Sequence, residues 1–291
     1  MNLKAADDFG VIDIGSNTIR GVLFDGKTLL VKKNTVYPSH ILAQTGEGVL
    51  SYKGIDDLCG CLKKISDFLK KYPCKKIYAF ATSAMRDVKN FEEVFNTVKI
   101  KTGICIDLIS GEEEAEYDFL ALRTKTKDDG IGVDLGGGSA QVISFDKFGV
   151  LESCSVPIGV KRMRNEFSEG IFPKEEETEK ICAFIKEQLF PIKNKKEEIW
   201  FMGGTAKAVS RVSKKLFKKD VITVDVIDEI YDLTKENPEL LKKLFAERFN
   251  IMPVGLKVMK EICRNLGAEK VIVTDVGVRD GYIQKLMDKE R

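Results

Sequence analysis

The feature that most constrains the fold of this chain is a repeat. VIDIGSNTIRGVLFD (11–25) can be laid over GVDLGGGSAQVISFD (132–146) without a gap. Asp13 then falls on Asp134, Gly15 on Gly136, Thr18 on Ser139, Val22 on Ile143, and Phe24-Asp25 on Phe145-Asp146. Each copy reads as two strands joined by a polar, glycine-bearing turn, so two similar domains are expected. The consecutive Gly136, Gly137 and Gly138 cost conformational entropy to order. Such a run suggests backbone that goes where a side chain would be in the way.

Around the repeat the pattern is α/β. In the first half, strands are expected over 9–15, 19–26 and 29–38. A helix follows over 54–72, with Ile55, Leu58, Leu62, Ile65, Phe68 and Leu69 at helical spacing. Next come a strand over 75–82, a helix opening near Phe91, a strand over 105–110 and a helix over 112–125. The second half adds a strand from Leu151, a helix over 175–189 and a strand over 197–204 that leads into a helix at Thr205. A helix over 253–267, a strand over 270–277 and a terminal helix complete it. With 291 residues, two domains of ordinary size fit. The polar run TKTKDDG (124–130) puts their boundary between 1–125 and 126–291, with the terminal helix able to return to the first domain.

Hydrophobic residues make up 43% and charged residues 32%, the profile of a soluble globular chain. A formal net charge of +2, with lysines interleaved with Glu as in KNKKEE (193–198), points to no nucleic acid and no membrane as partner. The N-terminus has no signal-type apolar core, and no apolar run reaches the about 18 residues of a membrane span. The cysteine count is odd, at 7, and its close pair, Cys59 and Cys61, diverges on a helix, so neither disulfides nor a zinc site is expected. A reduced, cytoplasmic protein follows. The single histidine, His40, lies far from any G-x-S-x-G elbow and reads as structural or surface.

A turn between strands presents several N–H groups at once and binds anions, and an Asp beside it can hold a divalent cation that bridges phosphate oxygens. Gly203-Gly204-Thr205, opening a helix, adds a third such place. A hairpin turn with no ligand is the bland reading of any one copy. A Walker A motif is absent, and the run from Gly136 to Gln141 lacks the third glycine of a dinucleotide fingerprint.

These turns resemble the phosphate loops of the actin-like ATPase superfamily. More narrowly, the chain is similar to the exopolyphosphatase and guanosine pentaphosphate phosphatase family, in order along most of its length. The segments are IDIGSNTIR (12–20), GEG (46–48), ATSAMRDVKN (81–90), ISGEEEA (109–115), VDLGGGS (133–139), SVPIGVKRMRNEF (155–167), MGGTAKAV (202–209) and VTDVGVRDGYI (273–283). The resemblance implies two duplicated actin-like, ribonuclease H-like domains with a phosphate-binding cleft between them. It also implies Mg²⁺-assisted hydrolysis of a terminal phosphoanhydride, in polyphosphate or guanosine pentaphosphate, with Mn²⁺ as the alternative ion. Gly15, Ser16, Asn17, Thr18, Arg20, Gly136, Gly137, Gly138, Ser139, Gly203, Gly204 and Thr205 would hold phosphate. Arg86 would add charge, Asp134 and Asp13 would hold the metal, and Glu114 would activate water. Homodimers are common in the family. Lys161, Arg162 and Arg164 are candidates for a track along a long polymer, or a solvated face.

One position departs. The family's second loop continues Ser-Thr-Glu, whereas this chain has Ser139-Ala140-Gln141. Gln141 keeps a carbonyl but cannot take a proton. Three readings stay open: Gln141 orients water while Glu114 alone is the base; another carboxylate compensates, for another substrate or metal; or hydrolysis is lost, leaving a polyphosphate or alarmone sensor. A small ATP-dependent kinase of the superfamily is a further alternative.

Overall fold

The computed structural model describes residues 7–219 and 221–290. The chain divides into two compact units, Met1–Ser110 and Gly111–Arg291.

The first unit runs β1 (Asp8–Ile14), β2 (Thr18–Phe24), β3 (Val31–Pro38), α1 (Ile41–Gln44), β4 (Thr45–Gly46), β5 (Val49–Leu50), α2 (Tyr52–Leu69), β6 (Cys74–Ala81), α3 (Ser83–Arg86), α4 (Phe91–Thr102) and β7 (Asp107–Leu108). Its main sheet has the order β3-β2-β1-β6-β7. A short turn can only reverse the chain, so β1 and β2 are antiparallel, while the crossover through α2 lets β6 lie parallel to β1. Ser51 starts α2 by accepting from the Gly54 amide. The stripe Ile55, Leu58, Leu62, Ile65 and Leu69 is buried as its spacing predicts, with Phe68 at the core's edge. β3, the exposed edge, carries Lys32, Lys33 and Pro38, which discourage further pairing.

The second unit runs α5 (Gly111–Leu122), β8 (Gly130–Leu135), β9 (Ala140–Phe145), β10 (Val150–Val156), α6 (Val160–Phe167), α7 (Glu175–Gln188), β11 (Glu198–Met202), α8 (Gly203–Phe217), β12 (Ile222–Thr223), α9 (Val224–Glu236), α10 (Pro238–Phe245), a 3-10 turn (Ala246–Arg248), α11 (Met252–Leu266), β13 (Lys270–Val273) and α12 (Val278–Glu290). Its sheet, β10-β9-β8-β11-β13-β12, repeats the first in a three-stranded meander followed by parallel strands reached through helices, and adds the short β12 antiparallel at the edge. The repetition extends to single hydrogen bonds. Gly15 N donates to Thr18 O at 3.1 Å, and Gly136 N donates to Ser139 O at 3.1 Å. Asp13 faces Arg20 across its hairpin, and Asp134 faces Gln141 across its own.

Several boundaries differ from the sequence expectation. The helix after Ser110 belongs to the second unit, so the division falls there and not at 124–130, which is a loop inside that unit. The terminal helix α12 does return to α5, the last helix of the expected 1–125 domain, with the rings of Tyr117 and Tyr282 edge to face at 5.6 Å, but both helices lie in the second unit. The strand over 197–204 stops at Met202, because Gly203 takes φ +89°, a left-handed turn that opens α8. The strands over 105–110 and 270–277 shorten to β7 and β13. All seven cysteines are free, and His40 is exposed ahead of α1. Among the described residues no helix is long and apolar enough to cross a membrane.

Two glycines test the packing with opposite signs. A Cβ on Gly281 of α12 would run into the Tyr117 carbonyl, whereas one on Gly60 of α2 meets nothing within 4 Å. Gly281→Ala is expected to destabilise by about 3 kcal/mol. Gly60→Ala is expected to stabilise by roughly 0.5–1 kcal/mol. Chemical denaturation of the two variants checks both signs.

Candidate functional site

The second unit's hairpin turn is held from behind by a helix. The carbonyl of Gly136 accepts from Val160 N at 3.0 Å, and that of Gly137 accepts from Lys161 N at 2.9 Å and Arg162 N at 3.0 Å. These donors are the first amides of α6, which have no partner inside their own helix. Loop and helix therefore satisfy each other, and the carbonyls that would repel an anion are tied back. The approach is so close that a Cβ on Gly159 would run into the backbone of Gly138 and Ser139.

Asp134, the residue where β8 faces Gln141, is surrounded by other glycine turns. A Cβ on Gly203 would sit 2.6 Å from Leu135 O and 2.7 Å from Asp134 Oδ1. A Cβ on Gly277 would lie 3.7 Å from Asp134 Oδ2. Thr205 is buried at the start of α8, and the guanidinium of Arg248 lies against Gly204, with Nη2 2.5 Å from where a Cβ would be. Gly277 N in turn donates to Asp280 Oδ2 at 3.0 Å.

Helix α5 brings the carboxylates. Gly111 packs against Ser155 of β10, which aims the first turn of the helix at β9. Gln141 there is only 2% exposed and Glu114 6%. The Gln141 amide nitrogen reaches Glu114 Oε2 at 3.1 Å, Ser139 Oγ at 3.1 Å and Ser155 Oγ at 3.0 Å. Its two hydrogens serve three oxygens, with the stronger bond going to the charged one. The reverse amide orientation would press a carbonyl against the carboxylate, so the charge on Glu114 fixes Gln141.

One turn along α5, Asp118 is 0% exposed; neither of its oxygens has an N–H or O–H donor among the described residues, and its carboxyl lies against that of Asp134. Burial raises its carboxyl well above the usual range, and repulsion from Asp134 and then Glu114 adds to the rise. Burial also raises Asp280. Among the described residues no three His, Cys, Asp or Glu are arranged to hold a metal ion by themselves.

The first unit gathers its own set. Gly15, Ser16, Asn17 and Thr18 form the turn, with Ser16 Oγ 3.3 Å from Ser83 Oγ and the Asn17 carbonyl accepting from Ser39 N at 2.9 Å. Thr82 N donates to Ile14 O at 3.4 Å, which anchors the SAMR segment beside the turn. Arg86 at the end of α3 donates through Nη1 to the Ile109 carbonyl at 3.0 Å. Thus Asp13, Gly15 to Thr18, Arg20 and Arg86 fall in one unit, and Glu114, Asp134, Gly136 to Ser139, Gln141 and Gly203 to Thr205 fall in the other. Lys161 and Arg162 supply two of the amides that hold the loop, and burial lowers the Lys161 ammonium. Sequence reasoning missed Asp118, Ser155 and Arg248. Of these, Asp118 alone left a signal, its four-residue spacing from Glu114.

The raised Asp118 carboxyl sets a pH dependence. An Asp whose folded value lies above its unfolded value of about 3.9 binds more protons in the native state, so stability falls as pH rises through that window. Metal-free protein is expected to lose thermal stability from pH 4 towards neutrality. Asp118→Asn should flatten the decline without abolishing it, since Asp280 contributes with the same sign. Thermal unfolding in EDTA across pH 4–8 reads both slopes.

Residues 28–290 match the Ppx/GppA phosphatase family. Exopolyphosphatase 1 of Mycobacterium tuberculosis is 25% identical over 97% of this chain and 88% of its own length. A bifunctional 3-dehydroquinate synthase/phosphatase of Fusobacterium nucleatum is 27% identical over 91% of this chain, which spans only 44% of that protein. The guanosine-5'-triphosphate,3'-diphosphate pyrophosphatase of Photobacterium profundum is 23% identical over 97% of this chain and 60% of its own length. Among solved structures, an Aquifex aeolicus Ppx/GppA family member superposes with a TM-score of 0.81 at 25% identity, covering 98% of this chain and 99% of that one. An exopolyphosphatase from Cytophaga hutchinsonii superposes at 0.87, with 17% identity over 97% and 98%, and shares the fold. The duplicated α/β sheets are those of the actin-like fold, and with the glycine turns they carry, this chain belongs to the Ppx/GppA phosphatase family.

Proposed function

We propose that this chain hydrolyses a terminal phosphoanhydride, releasing phosphate from inorganic polyphosphate or from guanosine pentaphosphate. The observation that carries the reading is Glu114, a nearly buried carboxylate held by the Gln141 amide at 3.1 Å beside a glycine turn with tied-back carbonyls. Such phosphoryl transfer needs little covalent help: a positioned water, neutralised oxygens and a fixed geometry. Glu114 takes the proton of the attacking water. Backbone N–H groups of Gly136 to Ser139, and of Gly15 to Thr18 in the other unit, hold phosphate oxygens. Arg86 and Arg20 bring guanidinium forks suited to phosphate. Gln141 acts on Glu114, holding it in place through its amide; this joins its neutral character to a base that works alone.

A divalent cation fits the second unit. The donors around Asp134 are hard carboxylate oxygens, and those of Asp118 lack any donor. Mg²⁺ is bound through one or two carboxylates together with substrate phosphates, so a site without three protein ligands suits it. Asp134 would hold Mg²⁺, or Mn²⁺ in its place, with Asp13 the counterpart in the first unit. When bound, the ion would neutralise charge on the phosphate oxygens.

Incubation with Mg²⁺ and long-chain polyphosphate, guanosine pentaphosphate or ATP, followed by a phosphate assay, tests this. Release from one of the first two is expected, and Glu114→Gln should lower it by roughly 10²–10⁴-fold. Tight binding without release would favour the sensor reading and overturn the hydrolase. Transfer of phosphate from ATP to an acceptor would favour the kinase.

A further inference from the structure

Position 141 on β9 carries no acid, yet a carboxyl is buried one helical turn from Glu114. Residues four apart share a helix face, so α5 presents Glu114 and Asp118 to the same hairpin. Asp118 is 0% exposed, and both of its oxygens lack a donor among the described residues, with the Asp134 carboxyl in contact. The groups that face it are acidic: Asp134 most closely, then Glu114 and Asp280. A carboxyl in that position weakens the empty fold, because burial without a donor is costly and three like charges repel it. Asn or Leu would serve packing better. The arrangement makes sense when a positive charge arrives beside Asp134.

Gln141 cannot be that partner. Its amide hydrogens are committed to Glu114, Ser139 and Ser155. Nor does a basic side chain donate to Asp118 among the described residues. Two carboxylates from different elements, Asp118 of α5 and Asp134 of β8, are left facing one another across the base of the glycine turn.

We propose that Asp118 is a positioning residue of the cation site: with Asp134 it receives a hard divalent ion, supplying from α5 the acid that β9 lacks at Gln141. This rests on the reading of the glycine turns as a phosphate site, and it makes the base and the ion holder neighbours on one helix. Glu114 is reserved for water by its bond to Gln141, and Asp118 for the ion. Two carboxylates give a weak site alone, which phosphate oxygens complete.

The test is Mn²⁺ binding by the full chain, read from loss of the free-ion EPR signal, together with thermal unfolding in EDTA. Asp118→Asn is expected to weaken Mn²⁺ binding by about 10–100-fold and to raise the unfolding temperature of metal-free protein. Gln141→Glu added to that variant should recover part of the Mn²⁺ affinity, because it returns an acid to β9. Unchanged Mn²⁺ affinity in Asp118→Asn, alongside normal phosphate release, would overturn the proposal and leave the hydrolase standing. A metal-free Asp118→Asn that is less stable or unfolded would also overturn it, since the carboxyl would then serve the fold. Wild-type protein that neither binds Mn²⁺ nor releases phosphate would remove the reading on which the proposal rests.

Discussion

The site depends on an exchange of backbone hydrogen bonds between a turn and a helix start. The amides of Val160, Lys161 and Arg162 need acceptors, and the carbonyls of Gly136 and Gly137 must be kept from facing an anion. Each solves the other's problem. The exchange requires the two backbones to touch, which explains both the run of glycines in the turn and the glycine at 159. It also changes what α6 is: its N-terminal amides are spent on the loop, so they are not open to an anion, and the turn is the surface that the proposed function uses. The same logic of close approach recurs at Gly203 and Gly277, which bring two more turns up to Asp134.

Once the turn is fixed, the remaining question is how acids are distributed around it. Carboxylates close together cannot all be ionised cheaply, so each needs a donor or a cation. Glu114 has a donor in Gln141, and an acid at 141 would have taken that donor away and added repulsion. Asp118 has no donor and sits against Asp134. The neutral amide on β9 and the extra acid on α5 are therefore two halves of one arrangement. On the proposed reading, the replacement at 141 shifts an acid from β9 to α5 and is compatible with hydrolysis.

Much of this was legible in the sequence. The repeat from Val11 and Gly132 announced two like hairpins in two like domains; the sheet order and the register that sets Asp13 against Arg20 and Asp134 against Gln141 came with the structure. The apolar stripe of α2 was equally plain, because a 3.6-residue period survives local noise. Boundaries were not. A polar run at 124–130 looked like a linker, but the helix before it is held by Tyr282 and Gly281, residues remote in sequence. The strand over 197–204 was overextended because an apolar run does not reveal a left-handed glycine at its end. Asp118 was hidden for a related reason: on an acidic helix start it looks like any solvated charge, and its burial comes from β8 and α12 packing over it. Arg248 lies in a short 3-10 turn with no periodicity, and its proximity to Gly204 is purely tertiary.

The central claim is that water, not another acceptor, attacks the terminal phosphorus at this site. Turnover of polyphosphate in ¹⁸O-labelled water with Mg²⁺, followed by ³¹P NMR of the products, tests it most directly. The expected result is one ¹⁸O in each released inorganic phosphate and none in the shortened polymer. Label in the polymer, or released phosphate that carries none, would contradict it.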